Sequence, residues 1–221
     1  MIFQILFLSF LLFYIIINIP FFSKESFKSK LYNNHKIVLI GDSILKNDAY
    51  AENSVQTILY QKTEGNTFNY AVDGATIATA YSQISQVPED LNNSNTFIFV
   101  SIGGNNILRT KNIDDSKLDT IFREYQKFIK TLKSQVYEAK IVLLNLYYPL
   151  DPQYKDLVPY IEKWNTKINS LKTSMNVDVI ELNRIFISAD DFKDDGLNGK
   201  IEPSEKGGAK LANKILFYYN N

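Results

Sequence analysis

The sequence contains no cysteine, a single histidine and no excess of either charge. The absence of cysteine excludes a disulfide framework, a thiolate nucleophile and a zinc site built from cysteine. Lys plus Arg and Asp plus Glu each number 24, so no basic surplus exists to hold a phosphate backbone, and nucleic acid is not an expected partner. Hydrophobic residues make up 45% and charged residues 22%, which is typical of a globular domain and not of a disordered chain.

The first 22 of the 221 residues carry no charged side chain. A helix of about that length, at roughly 1.5 Å per residue, spans the hydrocarbon core of a bilayer. A cleaved signal peptide would have a basic start, a shorter apolar core and a small-residue cleavage site, none of which is clear here. We therefore predict a single-pass transmembrane anchor, or an uncleaved signal, over residues 1–22, a polar linker over 23–34 and one domain over 35–221.

The orientation of this predicted anchor stays open. Lys24, Lys28 and Lys30 follow the apolar stretch, and the positive-inside rule then favours a cytoplasmic domain. Anchors of the secretory type point the other way. The predicted location is therefore a membrane, with the side of the domain undecided.

Short apolar runs rich in β-forming residues alternate with stretches of helical periodicity. This alternation predicts parallel strands joined by right-handed crossovers, with the ligand site beyond the carboxyl ends of the strands. Two of the runs are continuously apolar, as expected of strands that are covered by helices on both faces. The predicted strands are Lys36–Ile40, Thr67–Val72, Thr96–Ile102, Lys140–Leu146 and Val177–Leu182.

The first three predicted strands each end in a glycine-containing loop. Any one of these loops is a weak signal, because a glycine after a strand often serves only the turn. Together they suggest acyl transfer. Ser43, in a tight strand-to-helix turn, would present its hydroxyl as a nucleophile. The N–H groups of Ser43 and Gly74 and the amide of Asn105 would then donate to one oxyanion. The three blocks are GDSIL at 41–45, AVDGAT at 71–76 and SIGGNN at 101–106.

These blocks, together with IEPSEKGG at 201–208, resemble the ordered blocks of the SGNH/GDSL hydrolases over residues 36 to about 218. The resemblance implies a flavodoxin-like three-layer α/β/α sandwich with a five-stranded parallel sheet in the order 2-1-3-4-5. It also implies an esterase, lipase or acyl hydrolase that acts on a small-molecule, lipid or glycan ester without a cofactor or metal ion. Ser43 matches the nucleophile, Gly74 and Asn105 match the oxyanion hole, and Asn106 stands where many members have Asp.

The fourth block departs from the family pattern, which is Asp-x-x-His. If the tetrad begins at Asp195, the Asp is kept and Asn198 replaces the histidine. If the register is set by Pro203, Glu202 occupies the histidine position and Gly199 the Asp position. Neither alignment supplies an imidazole, so Glu202 and Asp195 are the candidate bases. A free Glu is a weaker base than His, so Glu202 would need burial to raise its pKa.

The single histidine does not fill this gap. His35 begins the first strand, which places it at the opposite edge of the sheet from Ser43 and predicts a structural or exposed side chain. Tyr147 and the stretch from Tyr160 to Asn165 resemble one branch of the family but fit an apolar core better. Two other functions remain: a degenerate relative that binds an ester, glycan or lipid without turnover, and a membrane-tethered interaction module. The Ser–Gly–Asn set favours an esterase.

Overall fold

The computed structural model describes residues 34–49, 51–194 and 201–221. The predicted anchor at 1–22 and the predicted linker up to residue 33 lie outside these residues. Within the described ranges, no helix combines the length and the apolar character that a membrane crossing requires.

The described residues form one parallel sheet of five strands in the order β2-β1-β3-β4-β5, which confirms the prediction. Strand β1 pairs with β2 on one side and β3 on the other, with Val38 opposite both Phe68 and Ile98. The strands are β1 (Lys36–Gly41), β2 (Thr67–Asn69), β3 (Thr96–Ser101), β4 (Lys140–Leu144) and β5 (Asp178–Ile180).

Strand β2 ends three residues before the predicted boundary at Val72. The side-chain oxygen of Asn69 accepts a hydrogen bond from the N–H of Ala71 at 2.8 Å, and such a local bond competes with regular pairing. The chain nevertheless continues along β1, because the N–H groups of Tyr70 and Val72 bond the carbonyls of Leu39 and Gly41. The loop after β2 is thereby tied to the end of β1.

Helices follow the strands along the chain, and polar caps begin several of them. Thr76 forms a capping box with Thr79 at the start of α3, and Ser204 accepts a hydrogen bond from the N–H of Gly207 at the start of α7. The helices are α1 (Ser43–Lys46), α2 (Val55–Lys62), α3 (Ile77–Ile84), α4 (Gly104–Arg109), α5 (Asp115–Gln135), α6 (Val158–Ser174) and α7 (Glu205–Asn220).

Two hydrophobic cores lie on opposite faces of the sheet. Alternate residues of β1 point to opposite faces, so Val38 and Ile40 join one core while Ile37 and Leu39 join the other. Residues of α3 to α6 pack in the first core, and residues of α1, α2 and α7 pack in the second. The result is the predicted three-layer sandwich, and all parallel strands point their carboxyl ends at one edge.

The single histidine lies at the amino end of the sheet. Nδ1 of His35 is 2.8 Å from the carbonyl oxygen of Tyr219 in α7, and its ring packs edge-on against Phe97. His35 therefore joins the start of β1 to the end of the last helix, which is the structural role that was predicted.

Candidate active site

The nucleophile turn, which carries the predicted nucleophile Ser43, lies where β1 ends. Gly41 has a φ of +150°, and an added Cβ would lie 2.0 Å from the carbonyl oxygen of Ser101 in β3, so only glycine fits. The side chain of Asp42 then accepts hydrogen bonds from the N–H of Ile44 at 3.2 Å and from the hydroxyl of Ser101 at 3.0 Å. These contacts place Ser43 in the first turn of α1, at the carboxyl edge of the sheet.

The buried side-chain amide of Gln83, on α3, holds this turn through two hydrogen bonds to Gly41. The N–H of Gly41 donates to Oε1 of Gln83 at 2.7 Å, and Nε2 of Gln83 donates to the Gly41 carbonyl at 2.9 Å. Gln83 was not identified from the sequence. The sequence does contain a signal for it, because Gln83 is a polar residue on the helix face that also carries the apolar Ile77, Ala80 and Ile84. A polar side chain on a buried face needs a hydrogen-bond partner.

Glu202 lies directly against the predicted nucleophile. The hydroxyl of Ser43 donates a hydrogen bond to Oε1 of Glu202 at 2.9 Å. Backbone contacts hold the Glu202 segment: the N–H of Lys193 donates to the Glu202 carbonyl at 2.8 Å, and Phe192 pairs with Pro203 as an antiparallel bridge. The alternative candidates Asp195 and Asn198 lie outside the described residues.

The predicted oxyanion donors lie on the loop before α3 and in the first turn of α4, and these two segments contact each other. Nδ2 of Asn105 donates to the carbonyl of Ala75 at 3.1 Å, and Nη2 of Arg109 donates to the carbonyl of Gly74 at 3.0 Å. Gly74 has a φ of +68°, which favours glycine. Asn105 lines the same cavity as Ser43, whereas Gly74 is not among the residues that line it.

The residue after Asn105 performs a loop-supporting role despite being Asn where many relatives have Asp. Oδ1 of Asn106 accepts a hydrogen bond from the N–H of Ile77 at 3.0 Å. An amide oxygen is sufficient for this contact, because a backbone N–H needs only an acceptor. This hydrogen bond joins the start of α3 to α4 and so holds together the two segments that carry Gly74 and Asn105, the predicted oxyanion donors.

The cavity beside Ser43 has a volume of about 70 Å³ and a wall that is mainly aliphatic. Its polar lining comes from Asp42, Ser43, Asn105, Tyr147 and Glu202. Its aliphatic wall comes from α1, α4, α6 and the loops after β4 and β5, with the side chains of Ile44, Ile107, Leu108, Leu146, Pro149, Leu157, Ile161 and Leu182. A group of polar side chains that includes Ser43 and Glu202 therefore borders directly on an apolar cavity wall.

Burial changes the acid–base properties of two groups in this cavity. It raises the pKa of Asp42 to about 7, although the hydrogen bonds from Ile44 and Ser101 oppose the change. It also holds the pKa of Tyr147 well above its usual range, with a further contribution from the charges of Glu202 and Asp42. Tyr147 therefore stays protonated and remains a hydrogen-bond donor.

An ion pair between the buried Asp191 and the partly exposed Lys210 supports the segment that precedes α7. Burial raises the pKa of Asp191, but hydrogen bonds from Lys210, Ser188 and Ile187 outweigh it and lower the pKa to about 2. Nζ of Lys210 lies 2.6 Å from Oδ1 of Asp191. The backbone carbonyl of Asp191 accepts a hydrogen bond from the N–H of Ser204 at 3.0 Å. An ionised Asp191 thus fixes the chain just after Glu202.

Several solved structures share this fold. A member of the lipolytic G-D-S-L family from Veillonella parvula has a TM-score of 0.65 at 20% identity, over 83% of this chain and 97% of that one. A lipase from a goat rumen metagenome has a TM-score of 0.66 at 17% identity, over 84% and 97%. An acetyl xylan esterase has a TM-score of 0.61 at 19% identity, over 82% and 98%. At such identities the likeness concerns the fold alone.

The sequence itself also matches a family. Among curated protein sequences, none matches the chain. The family model of the GDSL-like lipases and acylhydrolases, however, matches residues 39–210, a range that contains the nucleophile turn, the segments that carry Gly74 and Asn105, and the Glu202 segment. The match covers well over half of the chain, and the protein therefore belongs to the GDSL-like lipase/acylhydrolase family.

Proposed function

We propose that this protein hydrolyses esters by nucleophilic catalysis, with Ser43 as the nucleophile and Glu202 as the general base. The hydrogen bond of 2.9 Å from the Ser43 hydroxyl to the Glu202 carboxylate carries the proposal. This length lies within the range of about 2.6–3.2 Å expected for a nucleophile and its base. The IEPS segment thus supplies a carboxylate where the usual family pattern has an imidazole.

The reaction follows from this contact. Glu202 accepts the proton as the Ser43 oxygen bonds to the ester carbonyl carbon, and negative charge forms on the carbonyl oxygen. Asn105 and the N–H groups of Gly74 and Ser43 are the proposed donors to that oxyanion. When the tetrahedral intermediate collapses, Glu202 returns the proton to the departing alcohol. Water, deprotonated by Glu202, then attacks the acyl-enzyme, and Glu202 returns that proton to the Ser43 oxygen as the acid is released.

We further propose that the acyl group is short and aliphatic. The wall of the cavity is apolar, and burying alkyl groups against it is favourable. A water molecule needs roughly 10–15 Å³ of such space, so the 70 Å³ cavity holds about five water-sized groups. Since a methylene group is of similar size, acyl chains of about four to six carbons fill the cavity.

The test is hydrolysis of p-nitrophenyl esters by the purified wild-type protein and by Ser43→Ala and Glu202→Gln. We expect turnover with the butyrate and hexanoate faster than with the acetate or decanoate. Ser43→Ala removes the nucleophile and abolishes both turnover and labelling by a fluorophosphonate. Glu202→Gln keeps the shape but loses the base, which lowers kcat by about 100-fold or more.

The matched controls are Ser116→Ala and Glu162→Gln, which change exposed residues and leave activity unaltered. A wild-type protein that neither turns over esters nor reacts with the fluorophosphonate would point to the alternative role, the binding of an ester without hydrolysis. Retained activity in Glu202→Gln would exclude Glu202 as the base while leaving Ser43 as the nucleophile.

A further inference from the structure

Glu202 lies on an irregular segment, and two side chains from other parts of the fold hold it. We propose that Tyr147 and Asn47 are positioning residues, which set the Glu202 carboxylate against the Ser43 hydroxyl. This inference rests on the proposed esterase function, because it explains how a loop carboxylate can act as a base. The two side chains bond the carbonyls of Ile201 and Pro203, which flank Glu202 on either side.

Tyr147 holds the segment from the side of the sheet. It follows β4, and its hydroxyl donates a hydrogen bond to the carbonyl of Ile201. Its ring is buried between Phe186 and Phe192, with ring centroids 5.1 and 5.2 Å away. Because these contacts hold the ring in place, its hydroxyl holds the carbonyl of Ile201, the residue before Glu202, at a fixed distance from the end of β4.

Asn47 holds the segment from the side of the nucleophile. Nδ2 of Asn47 donates to the carbonyl of Pro203 at 3.2 Å, and the side chain is fully buried. The N–H of Asn47 bonds the Ser43 carbonyl at 2.8 Å, where the chain leaves α1 with a φ of 55°. The helix that carries the nucleophile is therefore bonded directly to the segment that carries the base.

The accuracy of this placement matters for the reaction. A displacement of about 1 Å in a reacting group costs roughly 100-fold in rate.

Asn165 supports the backbone next to Tyr147, since its side-chain amide forms hydrogen bonds with both the N–H and the carbonyl of Leu146, the residue before Tyr147. The backbone bonds of Lys193 and Ser204 to the segment do not depend on these side chains, so the fold survives their removal.

The experiment compares Tyr147→Phe with the wild type, using p-nitrophenyl butyrate. Removing the hydroxyl keeps the ring and the cavity wall, so we expect kcat to fall about tenfold while KM stays the same. The matched control is Tyr125→Phe, because Tyr125 is buried and its hydroxyl has no hydrogen-bond partner in the described part of the chain. This control keeps wild-type kcat.

A double mutant separates positioning from general structural support. If Tyr147 acts through Glu202, adding Tyr147→Phe to Glu202→Gln costs nothing further, because the base is already absent. Asn47→Gly, which keeps the left-handed backbone favourable, is the second variant and shows the same non-additivity. Wild-type kcat in both single variants, or an equal loss in the Glu202→Gln background, overturns the inference. A wild type without turnover overturns the esterase function itself, and this inference with it.

Discussion

Asp42 is the residue beside the proposed nucleophile, and it lines the cavity next to Ser43. Burial raises its pKa to about 7, so the group is mainly neutral below neutral pH and ionised above it. An additional negative charge at this position opposes the formation of an oxyanion. The state of Asp42 therefore sets the upper pH limit of the proposed reaction.

We predict that kcat/KM of the wild type falls as the pH rises through about 7. In Asp42→Asn this fall is absent, because the amide keeps an acceptor for Ile44 and Ser101 but cannot ionise. The measurement is the pH–rate profile between pH 5 and 9, in roughly half-unit steps. Identical alkaline limbs in both proteins would assign the fall to another group.

The same ionisation affects stability in a defined direction. The folded-state pKa of Asp42 lies above the unfolded value of 3.8, so its contribution is fully present below about 4 and is lost as the pH rises through about 7. Urea unfolding at acidic and at neutral pH therefore gives a second comparison. The Asp42→Asn protein shows the smaller change in midpoint over this range.

Sequence patterns identified Ser43 and Glu202, which the structure brings into hydrogen-bond contact, but missed the side chains that bond their segments. Ser43 and Glu202 belong to short blocks whose spacing is visible in the chain. Gln83 and Asn47 make their contacts through single side chains to backbone groups distant in sequence, and such contacts leave no local pattern. Tyr147 was noted in the sequence, but its position favoured the core. The choice between Glu202 and Asp195 was also open, because two alignments of the last block fit equally well.

Among the elements, α7 closely approaches the backbone near the Glu202 segment. A Cβ added to Gly207, in its first turn, would lie 2.1 Å from the carbonyl oxygen of Asp191. That carbonyl also accepts the N–H of Ser204 and cannot withdraw freely. The absence of a side chain at Gly207 thus allows α7 to dock beside the Glu202 segment.

We predict that Gly207→Ala lowers the free energy of unfolding by about 1–3 kcal/mol, the usual cost of forcing extra volume into a packed site. The measurement is urea denaturation followed by circular dichroism. Gly104→Ala is the control for stability, since its Cβ would meet only the flexible end of Leu146 at 3.3 Å. Equal midpoints for Gly207→Ala and the wild type would show that α7 can shift without cost.

The strand boundaries show where local patterns mislead. The run ending at Val72 was predicted as one strand, but regular pairing stops at Asn69 because its side chain bonds the backbone of Ala71. Strand β4 likewise ends at Leu144, before the predicted boundary at Leu146. Beyond Asn69, Ala71 packs in the core while Val72 is half exposed. Beyond Leu144, Leu146 lines the cavity and does not extend the sheet.

For the whole molecule, the alternation of strands and helices predicted a parallel sheet, because such elements are joined by right-handed crossovers. The continuous apolar run from Ile37 to Ile40 also predicted helices on both faces. The family resemblance narrowed the remaining topologies to one. The predicted membrane anchor involves residues outside the described ranges and stays a prediction.

We predict that a chain beginning at Lys30 folds without the first 29 residues and stays in solution, while the full chain partitions into membranes or detergent. The reason is that both hydrophobic cores are built from described residues beginning at Ile37. Circular dichroism and fractionation by centrifugation measure the two properties. Loss of helical signal in the shortened chain would show that the apolar start belongs to the fold.

The hydrogen bond between His35 and Tyr219 joins the first strand of the domain to its last helix. A short Gly-Ser link from the end of α7 to His35 would therefore close the domain into a ring, which can be reopened at the exposed Tyr137. In that circular permutant the Glu202 segment precedes Ser43 along the chain, while their contact in space is unchanged. Catalysis by such a protein would show that the arrangement of the site, and not the order of its motifs, is what the reaction requires.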